Sequence, residues 1–166
     1  MSLLFAAIGA TATALVEATL GPYFAVEHAQ PHPVLVIGVI WTIAAGLERG
    51  ITFAFVGGLV LDSLFGRPLG VSAFALLVAA GIAAAMAQPF PRLRVLVPVI
   101  AVPLLSLMYS LLAFALRAAA EPGVSAPDPV ALFLPDAIYD GILGVLIGPL
   151  AISIHDRRAV PERAEW

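Results

Sequence analysis

Polar side chains in this chain fall in clusters, and between the clusters run six long apolar stretches: residues 2–20, 34–47, 51–65, 71–87, 95–116 and 136–154. Each is apolar around its whole circumference instead of along one stripe, which predicts helices enclosed by an apolar medium. The breaks carry turn chemistry. Gly21-Pro22 stops the first helix, Gly66-Arg67-Pro68-Leu69-Gly70 separates the third from the fourth, and prolines crowd both 88–94 and 118–135. The second and third runs are short, about 21 to 23 Å at 1.5 Å per residue, against a hydrocarbon core of about 30 Å. Either both cross a thinned bilayer, or they form a re-entrant hairpin with Glu48-Arg49-Gly50 at its tip. Crossing is the better reading, because the hairpin buries an ion pair to no purpose. The run 71–87 is dominated by alanine and glycine, which predicts burial within a bundle. Pro98 and Pro103 predict a kink in the fifth helix.

Composition turns this pattern into a class. Hydrophobic residues make up 61% of the chain, charged residues 11%, and mean hydropathy is +1.04, far from the balance of soluble domains. The expectation is an all-α polytopic membrane protein, residues 1–166 forming one transmembrane domain with a charged tail at 155–166. The first run lacks the basic leader of a cleaved signal and reads as retained. A net charge of -3 argues against nucleic acid, and the absence of cysteine excludes disulfides and thiolate metal sites. All eight basic residues are arginines. With six spans and an inner N-terminus, Arg49, Arg92, Arg94, Arg157, Arg158 and Arg163 lie inside and Arg67 and Arg117 outside, which obeys the positive-inside rule. Both termini are therefore expected in the cytoplasm.

That orientation gathers Asp62, Arg67, Arg117, Asp136 and Asp140 at the outer level. Asp136 and Asp140 share a helix face that Gly144 and Gly148 continue inward, with Gly141 beside it; this predicts a flat strip for another helix. A carboxylate at membrane depth costs roughly 2.5 to 3.5 kcal/mol on insertion scales and is expected to point into the bundle with a partner. Asp62 or Asp140 is expected to pair with Arg67 or Arg117, or to accept bonds from Tyr139 and nearby backbone. Glu17 reads as interfacial, and Tyr23 to Pro33 as a solvated loop. His28 and His32, four apart, have the spacing of a metal pair, but Pro31 between them forbids the helix that would bring both to one face.

Two membrane aspartates raise the question of intramembrane proteolysis, in which paired carboxylates share a proton. Such enzymes carry Tyr-Asp first and Gly-x-Gly-Asp second. Here Tyr139-Asp140 comes last and Gly58-Leu59-Val60-Leu61-Asp62 has the wrong spacing. Asp140-Gly141 begins the signature of lipid-head phosphotransferases, but the later arginine and aspartates are missing. No phosphate loop or metal-ligand cluster is present. Catalytic, cofactor and metal residues are expected to be none.

Leu47-Glu48-Arg49-Gly50, then Gly57-Gly58-Leu59-x-x-Asp62 and Pro68-Leu69-Gly70, resembles the core signature of the bacterial rod shape-determining MreD family. Ala137-Ile138-Tyr139-Asp140 and Gly148-Pro149-Leu150 are similar to that family's last helix. Two positions depart from the pattern: His32 stands where an Asp or Asn is usual, and Asp140 where an amide is expected. The resemblance implies a non-enzymatic subunit of the cell-elongation machinery in the bacterial cytoplasmic membrane. Its implied partners are the bitopic protein MreC, the glycosyltransferase RodA with its class B penicillin-binding protein, and membrane lipids. It also implies about six transmembrane helices, two of them short, in a fold similar to the substrate-binding subunits of energy-coupling-factor transporters. That likeness supplies a competing expectation, a small-molecule-binding subunit of a vitamin-type transporter with an outer-facing pocket near Asp62 and Asp136. The structural or partner-binding candidates are Gly58, Asp62, Arg67, Pro68, Gly70, Asp136, Tyr139, Asp140, Gly144 and Gly148.

Overall fold

A computed structural model describes residues 2–25, 29–88, 94–121, 123 and 128–159, the side chains of 2 and 156–159 excepted. The chain is an all-α polytopic membrane protein. Its helices are α1 (Ser2–Leu20), a 3-10 turn (Gly21–Tyr23), α2 (Pro33–Ala45), α3 (Leu47–Leu64), α4 (Val71–Ala87), α5 (Val97–Ala120) and α6 (Pro129–Ala159). Leu3–Tyr23, Val97–Ala120 and Pro129–His155 are long and apolar enough to cross a bilayer, while α2 and α4 are shorter apolar helices.

The helix ends differ from the sequence pattern for local reasons. Gly46, at φ 95°, reverses the chain after its N–H bonds to the Thr42 carbonyl, so Glu48, Arg49 and Gly50 belong to the first turn of α3 and Gly46 alone forms the tip. The α6 helix begins seven residues early. Asp128 Oδ1 accepts the Ala131 N–H at 3.0 Å and Pro129 takes the first helical position, so an N-cap outweighs Pro135. The α5 helix runs on to Ala120, where Arg117 and Glu121 face each other at 4.0 Å on the surface, an arrangement that contributes little.

The most enclosed element is α2, while α4 is buried on one face, at Ala73, Ala75, Ala79, Ala80 and Ala83. The α2 helix packs against α1, α3, α4, α5 and α6, and eight residues from Val34 to Ile43 are buried. In α4, Phe74 and Ile82 look outward. Helices approach closely where glycine allows it. A Cβ on Gly58 would enter the backbone of Ala73 and one on Gly50 would enter Thr42, closing α3 onto α4 and α2. The glycine strip of α6 is filled from within the chain: a Cβ on Gly144 would lie 2.8 Å from Val102 and one on Gly148 2.6 Å from Pro98, both on α5. Gly141 likewise faces Pro103, within α5. That strip is an internal seam and is not available to a partner helix.

Candidate functional site

Five residues, Gln30-Pro31-His32-Pro33-Val34, lead the chain into α2. Two prolines remove two donors, leaving three backbone N–H groups, and each meets a different carboxylate. Asp136 Oδ1 accepts Gln30 N–H, Asp140 Oδ1 accepts His32 N–H, and Glu17 Oε2 accepts Val34 N–H, all at 2.8 Å. The carboxylates come from α1 and α6, one turn apart on the latter. Together they hold the segment by its alternate residues and place negative charge at the N-terminus of α2, the end a helix dipole makes positive. His32 supplies no side-chain cap of its own, so Glu17 does the capping from another helix.

His32 adds a second link. Its Nδ1 lies 2.9 Å from Asp140 Oδ2, which also accepts the Ser106 hydroxyl at 2.6 Å. The ring packs edge-on against Tyr109, with centroids 5.7 Å apart. Burial opposes a charge on the imidazole, but the Asp140 hydrogen bond, Asp140's charge and the charges of Glu17 and Asp136 outweigh it and push the pKa up to about 9. At neutral pH the ring is a cation with Nδ1–H donating to Asp140. Asp140 is fully buried, and Glu17 and Asp136 are nearly so. Buried carboxylates are tolerated when they are hydrogen-bonded, and here each accepts a backbone N–H.

Asp62 repeats the device between α3 and α4. Fully buried, it accepts Gly70 N–H at 2.8 Å through Oδ2 and Ser72 N–H at 2.9 Å through Oδ1. The carboxylate therefore anchors the Gly66–Gly70 turn and caps α4 from outside, as a satisfied polar anchor does. Gly66 and Gly70 carry positive φ, 62° and 101°, and Pro68 accepts the Val71 N–H at 3.3 Å.

Several sequence expectations change here. Among the described residues, neither Asp62 nor Asp140 forms an ion pair with Arg67 or Arg117. Arg67 reaches Ser72 Oγ at 3.5 Å and lies over the Phe65 ring, 4.7 Å from its centroid, while Arg117 faces Glu121. Backbone N–H groups take the arginine's place at Asp62, and the His32 N–H, the His32 ring and the Ser106 hydroxyl take it at Asp140. Tyr139 bonds to neither aspartate; it lines an apolar recess with Val16, Leu20 and Pro33. Glu17 is buried, not interfacial, and the Tyr23 to Pro33 stretch is solvated only in part: Tyr23, Phe24 and Gln30 are exposed, while the backbone is bolted down at Gln30 and His32, and at Val34 just beyond. His28 lies outside the described residues. No cluster of metal-ligating side chains occurs among the described residues. At the opposite end, Arg94 Nε and Nη2 donate to the carbonyls of Ile43 and Ala44, capping the C-terminus of α2.

Against known families, the model described as rod shape-determining protein MreD matches residues 2–153. No curated protein and no solved structure matches the chain.

Proposed function

This chain belongs to the MreD family of rod shape-determining membrane proteins, and from that premise we propose that it is a non-enzymatic, multi-pass subunit of the cell-elongation complex. It binds an MreC-like bitopic protein and, with it, supports regulation of peptidoglycan synthesis by RodA and its class B penicillin-binding protein. The observation that carries the non-enzymatic reading is what the carboxylates hold: Glu17, Asp62, Asp136 and Asp140 each accept backbone N–H groups of the chain itself, the work of structural anchors. The same bonding counts against a polar ligand pocket at Asp62 and Asp136.

Six crossings are part of the proposal. One cavity is lined by Ala45 and Arg49 beside the α2–α3 tip together with Phe5 near the start of α1 and Ile154 and His155 near the end of α6, which supports crossing over re-entry. With N- and C-termini cytoplasmic, the carboxylate clamp faces outward. The test is purification from membranes in mild detergent through a tag on this chain. Recovery of an MreC-like chain and cell-wall synthases is expected, and recovery of an ATPase module with a bound vitamin in their place refutes the reading.

A further inference from the structure

At the end of the bundle opposite the clamp, a cavity of about 630 Å³ opens between α1 and α6 with α2 as its floor. That volume is typical of small-molecule sites. Phe5, Trp41, Ile147 and Ile154 make its walls apolar, and Phe5 and Ile154 are also exposed at its sides. The lining runs from Ile37 to Ala45 on α2 and from Ile147 to His155 on α6, about 12 Å of helix on each. One leaflet of hydrocarbon is about 15 Å deep, so the cavity has the height of a lipid tail and not of a spanning helix.

Its polar groups are of one kind. Arg49 and His155 stand in the lining, and no carboxylate pairs with Arg49 among the described residues. Trp41 Nε1–H has no acceptor among them either, and tryptophan at this level of a membrane protein normally finds one. A half-buried guanidinium in an apolar wall needs an anion, and phosphate meets it through paired N–H groups. We propose that this cavity binds one anionic phospholipid of the inner leaflet, its tail against Phe5, Trp41 and Ile154 and its phosphate on Arg49. The quaternary ammonium of a zwitterionic lipid would sit against Arg49 and His155, which disfavours it. Basic recesses between helices on the cytoplasmic side suit such headgroups. The inference rests on the proposed orientation, with both termini cytoplasmic, and not on membership of an elongation complex.

Trp41 provides the readout, because Trp166 is the only other tryptophan. In a W166F background, the full-length protein is placed in bilayers carrying brominated phosphatidylglycerol or brominated phosphatidylcholine, and quenching of Trp41 gives their relative association. The expected preference for phosphatidylglycerol is about fivefold, as ~1 kcal/mol per arginine implies. It should fall to parity in Arg49→Gln and largely survive in Arg49→Lys, with helical circular dichroism unchanged in both. Equal quenching by the two lipids, or a preference kept in Arg49→Gln, overturns the proposal. So does failure of both lipids to quench, the result expected if a protein helix fills the cavity instead.

Discussion

Replacing Asp140 separates an anchoring carboxylate from an incidental one. Asp140 takes three donors: the His32 N–H, His32 Nδ1 and the Ser106 hydroxyl. Asparagine keeps an oxygen for the His32 N–H, and Ser106 turns to donate to neither or accept from the amide. The histidine must then give up its Nδ1 proton. The loss is mainly charge assistance, about 2 kcal/mol. Leucine strands all three donors, and the backbone one cannot turn away. Removing one partner of a buried charged pair costs about 3 to 5 kcal/mol, a large part of the ~5 to 15 kcal/mol that holds a domain folded. Asp140→Asn should therefore accumulate in membranes with a lowered unfolding midpoint, and Asp140→Leu should not accumulate. His32→Asp alone places two carboxylates together and should also fail, while His32→Asp with Asp140→Asn should recover, with a coupling of about 1 to 3 kcal/mol. The assay is unfolding in mild detergent followed by helical circular dichroism, alongside membrane level. Equal damage from Asp140→Asn and Asp140→Leu, or additive effects of the two substitutions in the pair, would refute the pairing.

At the second anchor, Asp62→Asn should keep partial rescue of rod shape in a strain lacking the protein, whereas Asp62→Leu should abolish it by stranding the Gly70 and Ser72 donors. A folded, partner-bound Asp62→Asn protein with no rescue would reopen catalysis. Gly144→Leu should lower membrane abundance through the clash with Val102, and Gly144→Ala should do so less; normal levels of the leucine variant would show that α5 and α6 do not meet there. Because the folded imidazole of His32 titrates near 9 and the unfolded one near 6.5, its stabilisation is complete below about pH 6.5 and lost as pH rises toward 9. The unfolding midpoint should fall across that window, and His32→Asn should remove the slope. A reporter after Trp166 should be cytoplasmic and one after Gly123 exported; finding both on one side would contradict six crossings.

The helices were legible in the apolar runs because a membrane span has one dominant signal, continuous hydrophobicity. Their ends were less so. Gly46 and Asp128 carry ordinary cap signals, but in a chain this apolar the neighbouring Glu48-Arg49 and Pro135 looked like the stronger breaks. The anchoring of Asp62 to the Gly66–Gly70 turn could be read because carboxylate and turn lie within ten residues. The clamp at Gln30 to Val34 could not, since its acceptors are 17 to 108 positions away and no periodicity links them. One signal was present: the alternation of proline with other residues leaves isolated N–H groups that need acceptors.

The two departures from the family pattern acquire a physical meaning from this geometry. His32 and Asp140 lie far apart in sequence, and each looked like a separate disturbance of the polar network. They are the two ends of one contact, 2.9 Å apart. Where an acidic or amide side chain at position 32 faces an amide at 140, the pair is held by neutral or singly charged hydrogen bonds. Here a base at 32 faces an acid at 140, and the same space holds a charge-assisted bond. A histidine facing an amide must give up its Nδ1 proton and loses the charge-assisted bond, and an aspartate facing a carboxylate leaves two buried anions together. In this chain the histidine and the aspartate are complementary, and their bond ties α6 to the start of α2.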